Sequence, residues 1–375
     1  MTIALSRRGL VYFAILPEYC LPGCGGVGVL QKKGLVVLLV FSVGLGSLVW
    51  QGGKAWAGEV LEIVRANKTV RVGVRGLLPG FSFKDEAGQW HGLEVDLAKA
   101  VAAAVIEDPA KVTFVEVTAA NRFPLLLAEK IDLLLGNTTH TFTREAAMGI
   151  FFANIYFFDG QAFMVPADSS SRTLADLNGA VIAYTKRTTQ ERNLADFFQA
   201  RGWTFTGLPV ETLSELWEAL QSGRCQVVTA DRGELAGIRM RASGGLSAWR
   251  ILPEVISEEP LAAVVHASDG KWFLIVKWVI YALIEAEERG ITRANVKDML
   301  ANPPDPSYRR FLASDGLAEK TLKLKPGWVI RVIESVGNYG EIYDRHFGPN
   351  TPLRLERQLN RLAKNGGLLY SPPFR

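Results

Sequence analysis

Cysteine, histidine and unbalanced charge are all scarce in this sequence, and each scarcity removes a class of function. Three cysteines occur in 375 residues. Two of them, Cys20 and Cys24, fall in an N-terminal stretch of leader character, so Cys225 stands alone beyond it and no internal disulfide can form there. The four histidines, His91, His140, His266 and His346, show no metal-ligand spacing and build no Ser-His-Asp or Cys-His set, so neither a metal nor a cofactor is expected. Of 42 Lys and Arg, five lie within residues 1–57; of 38 Asp and Glu, one does; 37 of each remain beyond it. A balanced chain offers no basic footprint for phosphates, which excludes nucleic acid as a main partner. Tandem repeats and low-complexity tracts are absent. Gly23, Gly25 and Gly28 match a dinucleotide-binding spacing by letter, but no strand precedes them and no ribose-binding acid follows at the right distance.

What is present begins with a leader pattern. Lys32 and Lys33 precede an uncharged apolar stretch from Leu35 to Trp50, and the small-residue site Ala55-Trp56-Ala57 follows. This is the order of an export signal, with cleavage expected after Ala57 and a periplasmic destination. The alternative is an uncleaved anchor, because Gly34 to Gly53 approaches the roughly 20 residues that span a bilayer. Residues 1–30 are odd in front of such a signal; a start placed too early, with initiation near Val29, accounts for them. Ser6-Arg7-Arg8 resembles a twin-arginine signal only until Pro17 and Glu18 interrupt the apolar run behind it.

Beyond the leader, a short helix over Glu59 to Asn67 precedes a strand at Thr69 to Val74, which Gly76, Pro79 and Gly80 break. Leu93, Leu97, Val101 and Val105 recur at i+4 behind Glu94 and Asp96, predicting an amphipathic helix over Gly92 to Ile106. Strands at Lys111 to Val117 and Ile131 to Gly136 flank a helix near Asn121 to Glu129, and this alternation implies a largely parallel sheet with helices on its faces. After Ser169, Ser170 and Ser171 the pattern restarts: Ala180 to Tyr184 as strand, Thr188 to Arg201 as helix, Leu213 to Gln221 as helix, Cys225 to Thr229 as a strand stopping at Asp231. Thr188 and Glu191 stand at capping-box spacing. A long helix from Trp272 to Arg289, a further one at Val296 to Leu300 and a tail rich in Gly and Pro complete the chain.

In open α/β sheets ligands bind beyond the C-terminal ends of strands. Three groups fall there: Asn137 to Arg144, Arg187 to Thr189, and Asp231. Together they offer a guanidinium, hydroxyls, a helix N-terminus and a carboxylate, the complement of a zwitterion. Taken singly, Arg144 or Asp231 fits a surface ion pair as well as a ligand contact, and Thr139 or Thr189 fits a turn or cap. Asp96 reads as a helix-start charge.

Taken in order, the segments Gly92 to Leu97, Asp132 to Arg144, Tyr156 to Val165, Gly223 to Asp231 and the tail from Val336 to Gly348 and Asn365 to Arg375 resemble the polar amino-acid-binding periplasmic proteins, in particular the general L-amino-acid-binding receptors of ABC importers. The resemblance runs over nearly all of Leu61 to Arg375. It implies a type II periplasmic-binding-protein fold: two α/β lobes with central mixed sheets and a two-strand hinge. Lobe one is expected over 59–165 and 263–375, lobe two over 166–262, and the hinge near Val165 to Ala167 and Leu261 to Val264. It further implies a monomer that closes on a free L-amino acid, presents it to an inner-membrane ABC permease and catalyses nothing. By the same resemblance Arg144 clamps the ligand α-carboxylate with help from Thr139 and Thr189, and Asp231 accepts from the α-ammonium. Asn137 and Thr188 complete the set, while His140, Leu78 and Phe81 wall the pocket.

The sequence departs from that family in places. Arg187 stands where a small residue, often Gly, is usual, and Arg75 where a neutral or acidic one is usual. Two extra cations in the cleft favour acidic and polar amino acids over cationic ones; both could equally face solvent. Cys225 and Ala183 stand where some relatives carry two cysteines. The same fold hosts exported enzymes of the cyclohexadienyl dehydratase kind, which is the competing reading. An extracellular sensor domain would require the uncleaved anchor.

Overall fold

The computed structural model describes residues 59–242, 245–313 and 316–374. The leader, cleavage and start-site expectations lie outside them. Among the described residues no helix is long and apolar enough to cross a membrane.

Along the chain α1 (Glu59–Asn67), β1 (Val70–Val74), β2 (Leu77–Leu78), β3 (Ser82–Lys84), β4 (Trp90–His91), α2 (Leu93–Val105), β5 (Val112–Glu116), α3 (Arg122–Leu127), β6 (Leu133–Leu134), α4 (Phe142–Ala147) and β7 (Ile150–Asp159) come first. Then follow β8 (Gln161–Pro166), β9 (Val181–Thr185), α5 (Thr189–Gln199), β10 (Thr206–Val210), α6 (Leu213–Gln221), β11 (Val227–Asp231), α7 (Arg232–Arg241) and β12 (Trp249–Ile251). The chain returns through β13 (Glu259–His266) to α8 (Gly270–Glu288), α9 (Val296–Ala301), α10 (Pro306–Ala313), α11 (Leu317–Leu322), α12 (Trp328–Val336) and α13 (Tyr339–His346).

β2, β3 and β4 form a small antiparallel sheet, and the other ten strands form two five-stranded sheets, ordered β5-β1-β6-β13-β7 and β10-β9-β11-β8-β12. Each is mixed. In the first, β1 runs parallel to β5 and β6 while β13 is antiparallel to β6 and β7. In the second, β9 is parallel to β10 and β11, and β8 is antiparallel to β11 and β12. The predicted largely parallel sheets hold for the βαβ portions; the antiparallel strands come from the two chain crossings, where the direction reverses without a helical crossover.

Those crossings lie earlier than the sequence reading placed them. Gln161 to Val165, assigned to lobe one, hydrogen-bond in the second sheet, and Glu259 to Ala262, assigned to lobe two or to the hinge, pair with β7 in the first. The sheets change at Gly160 and at Ser257–Glu258. Short polar breaks, Asp159-Gly160-Gln161 and Ser257-Glu258-Glu259, interrupt the apolar runs at the two changes, and Gly160 marks the first sterically, because a Cβ there would lie 2.8 Å from the Ser257 carbonyl oxygen.

The helix predicted as amphipathic is α2, and every residue in it except Lys99 is buried. It packs between the first sheet and α8, α12 and α13, so its polar residues are used inside. Glu94 takes hydrogen bonds in the core, and Asp96 accepts from Arg345 Nη2 at 2.7 Å and His346 Nε2 at 2.7 Å. Gly92, which precedes this helix, has φ +130, and a Cβ there would lie 2.0 Å from the Phe81 carbonyl oxygen. Only glycine fits.

The segment after α13 returns to the crossings. Asn360 exchanges two bonds with the Phe158 backbone, at 2.7 and 2.9 Å, and Arg357 grips Glu287 with both Nη atoms. Gln358 accepts from Arg232 Nη1 of the second lobe at 3.3 Å, and Leu353 to Glu356 with Gln358 face Ala236 and Ile251 to Pro253 across a cavity of about 220 Å³.

Candidate ligand-binding site

The loop after β6 carries the first set of candidates, and buried charge holds it in place. Glu94 accepts from the Asn137 backbone N–H at 2.7 Å, from Tyr156 Oη at 2.6 Å and from Ser82 Oγ at 2.7 Å. Burial pushes its carboxyl up to about 7 against these bonds. Arg122, 2% exposed, reaches Gly136 O, Asn137 O and Thr138 Oγ1 at 3.4 Å each. Burial first, and then the nearby Arg144 and Arg75, hold its guanidinium well below its ordinary value. Between these two anchors Asn137 takes the left-handed conformation, φ +49, a region asparagine tolerates better than most side chains. Its Nδ2 then meets Asp231 Oδ2 at 3.3 Å, across the two lobes.

Asp231 ends β11 and is 3% exposed. Its other oxygen accepts from Gln190 Nε2 at 3.4 Å. Burial pushes its carboxyl well above the usual range, and the charges of Glu259, Glu234 and Asp159 push it further. Asp159, at the end of β7, is likewise raised to about 7 by burial. Asp231 is not a solvated partner of its neighbour: Arg232 turns to Gln358 and the Pro253 carbonyl. Two acceptors beside Asp231, Asn137 Oδ1 and Gln190 Oε1, are buried with no hydrogen-bond partner. A buried, crowded carboxylate with orphaned acceptors around it is a place for a cation with several N–H donors.

Arg144 lies in α4, capped by Thr141, whose side chain accepts from the Arg144 backbone N–H. Its Nη1 donates to Thr139 O at 2.7 Å, and the guanidinium lies over the Phe123 ring at 5.5 Å. Burial lowers its basicity while Glu259 and Asp231 oppose that shift. Thr139 and Thr189 are brought together from opposite lobes, but each hydroxyl proton goes to the same acceptor: Thr139 Oγ1 to Glu259 Oε2 at 2.6 Å and Thr189 Oγ1 to the same oxygen at 2.9 Å. Their lone pairs remain.

At the start of α5 the expected capping box is not made. Thr188 is the N-cap residue by position, yet its side chain caps nothing and Thr188 Oγ1 donates back to Thr185 O at 2.7 Å. The first-turn N–H groups of α5 are therefore uncapped by a side chain, as an anion site at a helix N-terminus requires.

The remaining candidates divide. Arg75 stays inside: its side chain is 8% exposed, with Nη2 3.6 Å from Glu234 Oε1 of the second lobe. Arg187 does not. Its side chain is 57% exposed and pairs with Glu211 Oε2 at 2.5 Å, which Lys186 also holds. The expectation of two cations in the cleft is thus corrected to one. Arg187 has φ +62, so the position demands left-handed backbone, which glycine supplies without strain. His140 stacks on Phe152 at 4.3 Å and meets Glu145 Oε2 at 2.8 Å, so packing fixes its ring. Leu78 is wholly buried in the lobe-one core. Phe81 packs edge-on to Phe157 and Phe347, at 4.9 Å each. A Cβ on Gly233 of the second lobe would lie 2.7 Å from its ring, so Phe81 supports the closed contact between lobes. Cys225 is buried and free, with its thiol pushed up to about 11 by burial.

Sequence reasoning missed Glu259, Glu234, Gln190, Glu94 and Arg122. A glutamate in a strand-start or helix-start position reads as a solvated charge; only the long-range pairing reveals it. Among the described residues no group of three or more His, Cys, Asp or Glu is arranged to hold a metal.

Comparison with known proteins places this geometry in a lineage. Residues 70–349 match the model of the bacterial extracellular solute-binding proteins, family 3. The chain is similar to the general L-amino acid-binding periplasmic protein AapJ of Rhizobium johnstonii, 42% identical over 86% of this chain and 95% of that protein. It is also similar to the glutamate/glutamine/aspartate/asparagine-binding protein BztA of Rhodobacter capsulatus, 38% identical over 89% and 98%. Among solved structures, a periplasmic binding protein of Brucella ovis with glutathione bound superposes with a TM-score of 0.81 at 37% identity, covering 84% of this chain and 99% of that one.

Proposed function

The chain belongs to the bacterial extracellular solute-binding proteins of family 3, and from that premise we propose that it is the receptor of an amino-acid ABC importer, which closes on a free L-amino acid in the periplasm. The observation that carries the reading is the opposition of Arg144 on one lobe and Asp231 on the other. Around them lie the uncapped start of α5 and the unpaired acceptors Asn137 Oδ1 and Gln190 Oε1. The ligand α-carboxylate goes to Arg144 and the α5 N–H groups. Its ammonium goes to Asp231, with Asn137 and Gln190 turning acceptors toward it. Thr139 and Thr189, their protons given to Glu259, offer lone pairs at the same place.

Charge-assisted bonds contribute roughly 1.5 to 3 kcal/mol each, and a micromolar Kd needs about 8 kcal/mol. The two ionic ends can therefore supply most of the affinity, leaving the side-chain pocket to set preference. Arg75 lies at that pocket and is partly neutralised by Glu234, which suits broad recognition leaning to acidic and polar side chains. Because the ligand bridges residues of both lobes, it favours the closed form, and differential contact is what drives closure. The closed form is what an inner-membrane permease would read; the receptor acts as a monomer and performs no chemistry.

The test is calorimetric titration of the ligand-stripped protein with the twenty L-amino acids, glutathione and prephenate, repeated with Arg144→Ala. Micromolar binding of glutamate and other amino acids, weakened at least about 100-fold in the variant, supports the receptor. Prephenate turnover without amino-acid binding would move the chain to the enzymes of this fold, and a preference for lysine or arginine would overturn the acidic lean.

A further inference from the structure

Glu259 is the first residue of β13, directly after the second chain crossing, and is 1% exposed. A buried carboxylate must be satisfied on both oxygens, and this one is, by donors from three parts of the molecule. Oε2 accepts from Thr139 Oγ1 at 2.6 Å and Thr189 Oγ1 at 2.9 Å. Oε1 accepts from Asn193 Nδ2 at 2.7 Å and Ser257 Oγ at 2.7 Å. Thr139 belongs to the first lobe and is tied to the same strand by a bridge to Leu261. Thr189 and Asn193 occupy the first turns of α5 in the second lobe. Ser257 is in the crossing itself.

We propose that Glu259 is a positioning residue that latches the two lobes, drawing α5 onto the first lobe through one carboxylate and biasing the ligand-free receptor toward closure. The inference rests on the receptor reading only in supposing that the lobes open. When they part, Glu259 keeps Thr139 and Ser257, which move with its own strand and crossing, and loses Thr189 and Asn193. The latch thus acts on the open–closed equilibrium. A carboxylate is suited to the place because four donors converge on it; a carboxamide would turn a donor of its own toward two of them.

The consequence for binding is kinetic. A contact made only in the closed state slows ligand departure, and by holding part of the ligand-free population closed it also slows association in proportion to the closed fraction. Asn193 is the clean probe, since it touches Glu259 from the side of α5 and has no proposed contact with the ligand.

The experiment compares the full, ligand-stripped chain with Glu259→Gln, Glu259→Ala and Asn193→Ala by small-angle X-ray scattering, with and without saturating glutamate, and by stopped-flow binding. The latch requires a larger radius of gyration for the ligand-free variants than for the parent, returning to the parental value with ligand. It also requires dissociation at least about fivefold faster in Asn193→Ala, with association no slower than in the parent. Identical ligand-free scattering and identical dissociation rates in Asn193→Ala and Glu259→Gln would overturn it, including where Glu259→Ala fails to fold. Should no amino acid bind at all, the receptor reading falls, and the ligand-free scattering still decides the latch.

Discussion

Asp231→Asn should weaken ligand binding and stabilise the ligand-free protein, and the opposite signs follow from the same crowding. The Asp231 carboxyl is buried and raised well above its ordinary value by burial and by the charges of Glu259, Glu234 and Asp159. In the ligand-free fold a proton is therefore held more tightly than in the unfolded chain, and stability falls as pH rises from the ordinary carboxylate value of about 4 through the folded one. An amide removes that penalty, and its own N–H₂ donates to Asn137 Oδ1, otherwise without a partner, once the Asn137 carboxamide turns over from the Nδ2 contact it makes with the carboxylate. The Tm of the ligand-free variant should rise at pH 7.5 and lose part of its pH dependence. Binding, by contrast, loses a charge-assisted bond to the ligand ammonium, about 1.5 to 3 kcal/mol, which at about 1.4 kcal/mol per decade is roughly a 10- to 150-fold weaker Kd. An ammonium entering the site favours the ionised carboxylate, so the parent should release protons on binding. Its calorimetric enthalpy should vary with the ionisation heat of the buffer, more steeply than that of the variant. Calorimetry in two buffers and thermal denaturation with and without ligand read all three effects. An unchanged affinity, or a ligand-free variant less stable than the parent, would refute the reasoning.

Other outcomes follow from the corrected positions. Arg187→Ala should leave every Kd within about twofold, since an exposed ion pair contributes about 0 to 1 kcal/mol. Arg75→Ala should weaken glutamate at least about tenfold relative to alanine, measured by the same titrations. Asp96→Asn should lower unfolding stability by roughly 1.5 to 3 kcal/mol at pH 7 in urea denaturation. Burial works against ionisation of Asp96, yet His346 and Arg345 hold its carboxyl below the ordinary value. Its contribution is therefore present above the unfolded-state value and lost as pH falls through the folded one. Parent and variant should converge in acid.

Periodicity and strand ends made much of this legible. The i+4 recurrence of Leu93, Leu97, Val101 and Val105 located α2, and the rule that ligands gather at strand ends selected the loop after β6 and Asp231. Burial on more than one side is what periodicity could not reveal: α2 lies between a sheet and three helices, which turns Glu94 and Asp96 from surface charges into interior ones. Glu259 was illegible for another reason. It follows Ser257 and Glu258 in a polar run, and its partner Thr139 lies 120 residues away, so local pattern offers no sign of the pairing. The crossings were displaced by a few residues because the resemblance placed them inside the apolar strands, whereas the chain changes sheet at the short polar breaks Asp159-Gly160-Gln161 and Ser257-Glu258. Arg187 was misread in the other direction: the family preference for a small residue reflects backbone conformation, and a cation there need not enter the cleft.

The segment after α13 bears on how the molecule can move. Two strands alone would leave the lobes free to swivel as well as to bend. Here Asn360 and Arg357 root the segment in the first lobe, and Gln358 touches Arg232 of the second. A third attachment, beside the two crossings, resists swivelling more than bending. It channels the motion toward a single rotational coordinate, like a door held at three points along its frame. An engineer wishing to convert ligand binding into a large, reproducible optical signal would leave Arg357 to Asn360 untouched and place reporters on the far rims of the two lobes.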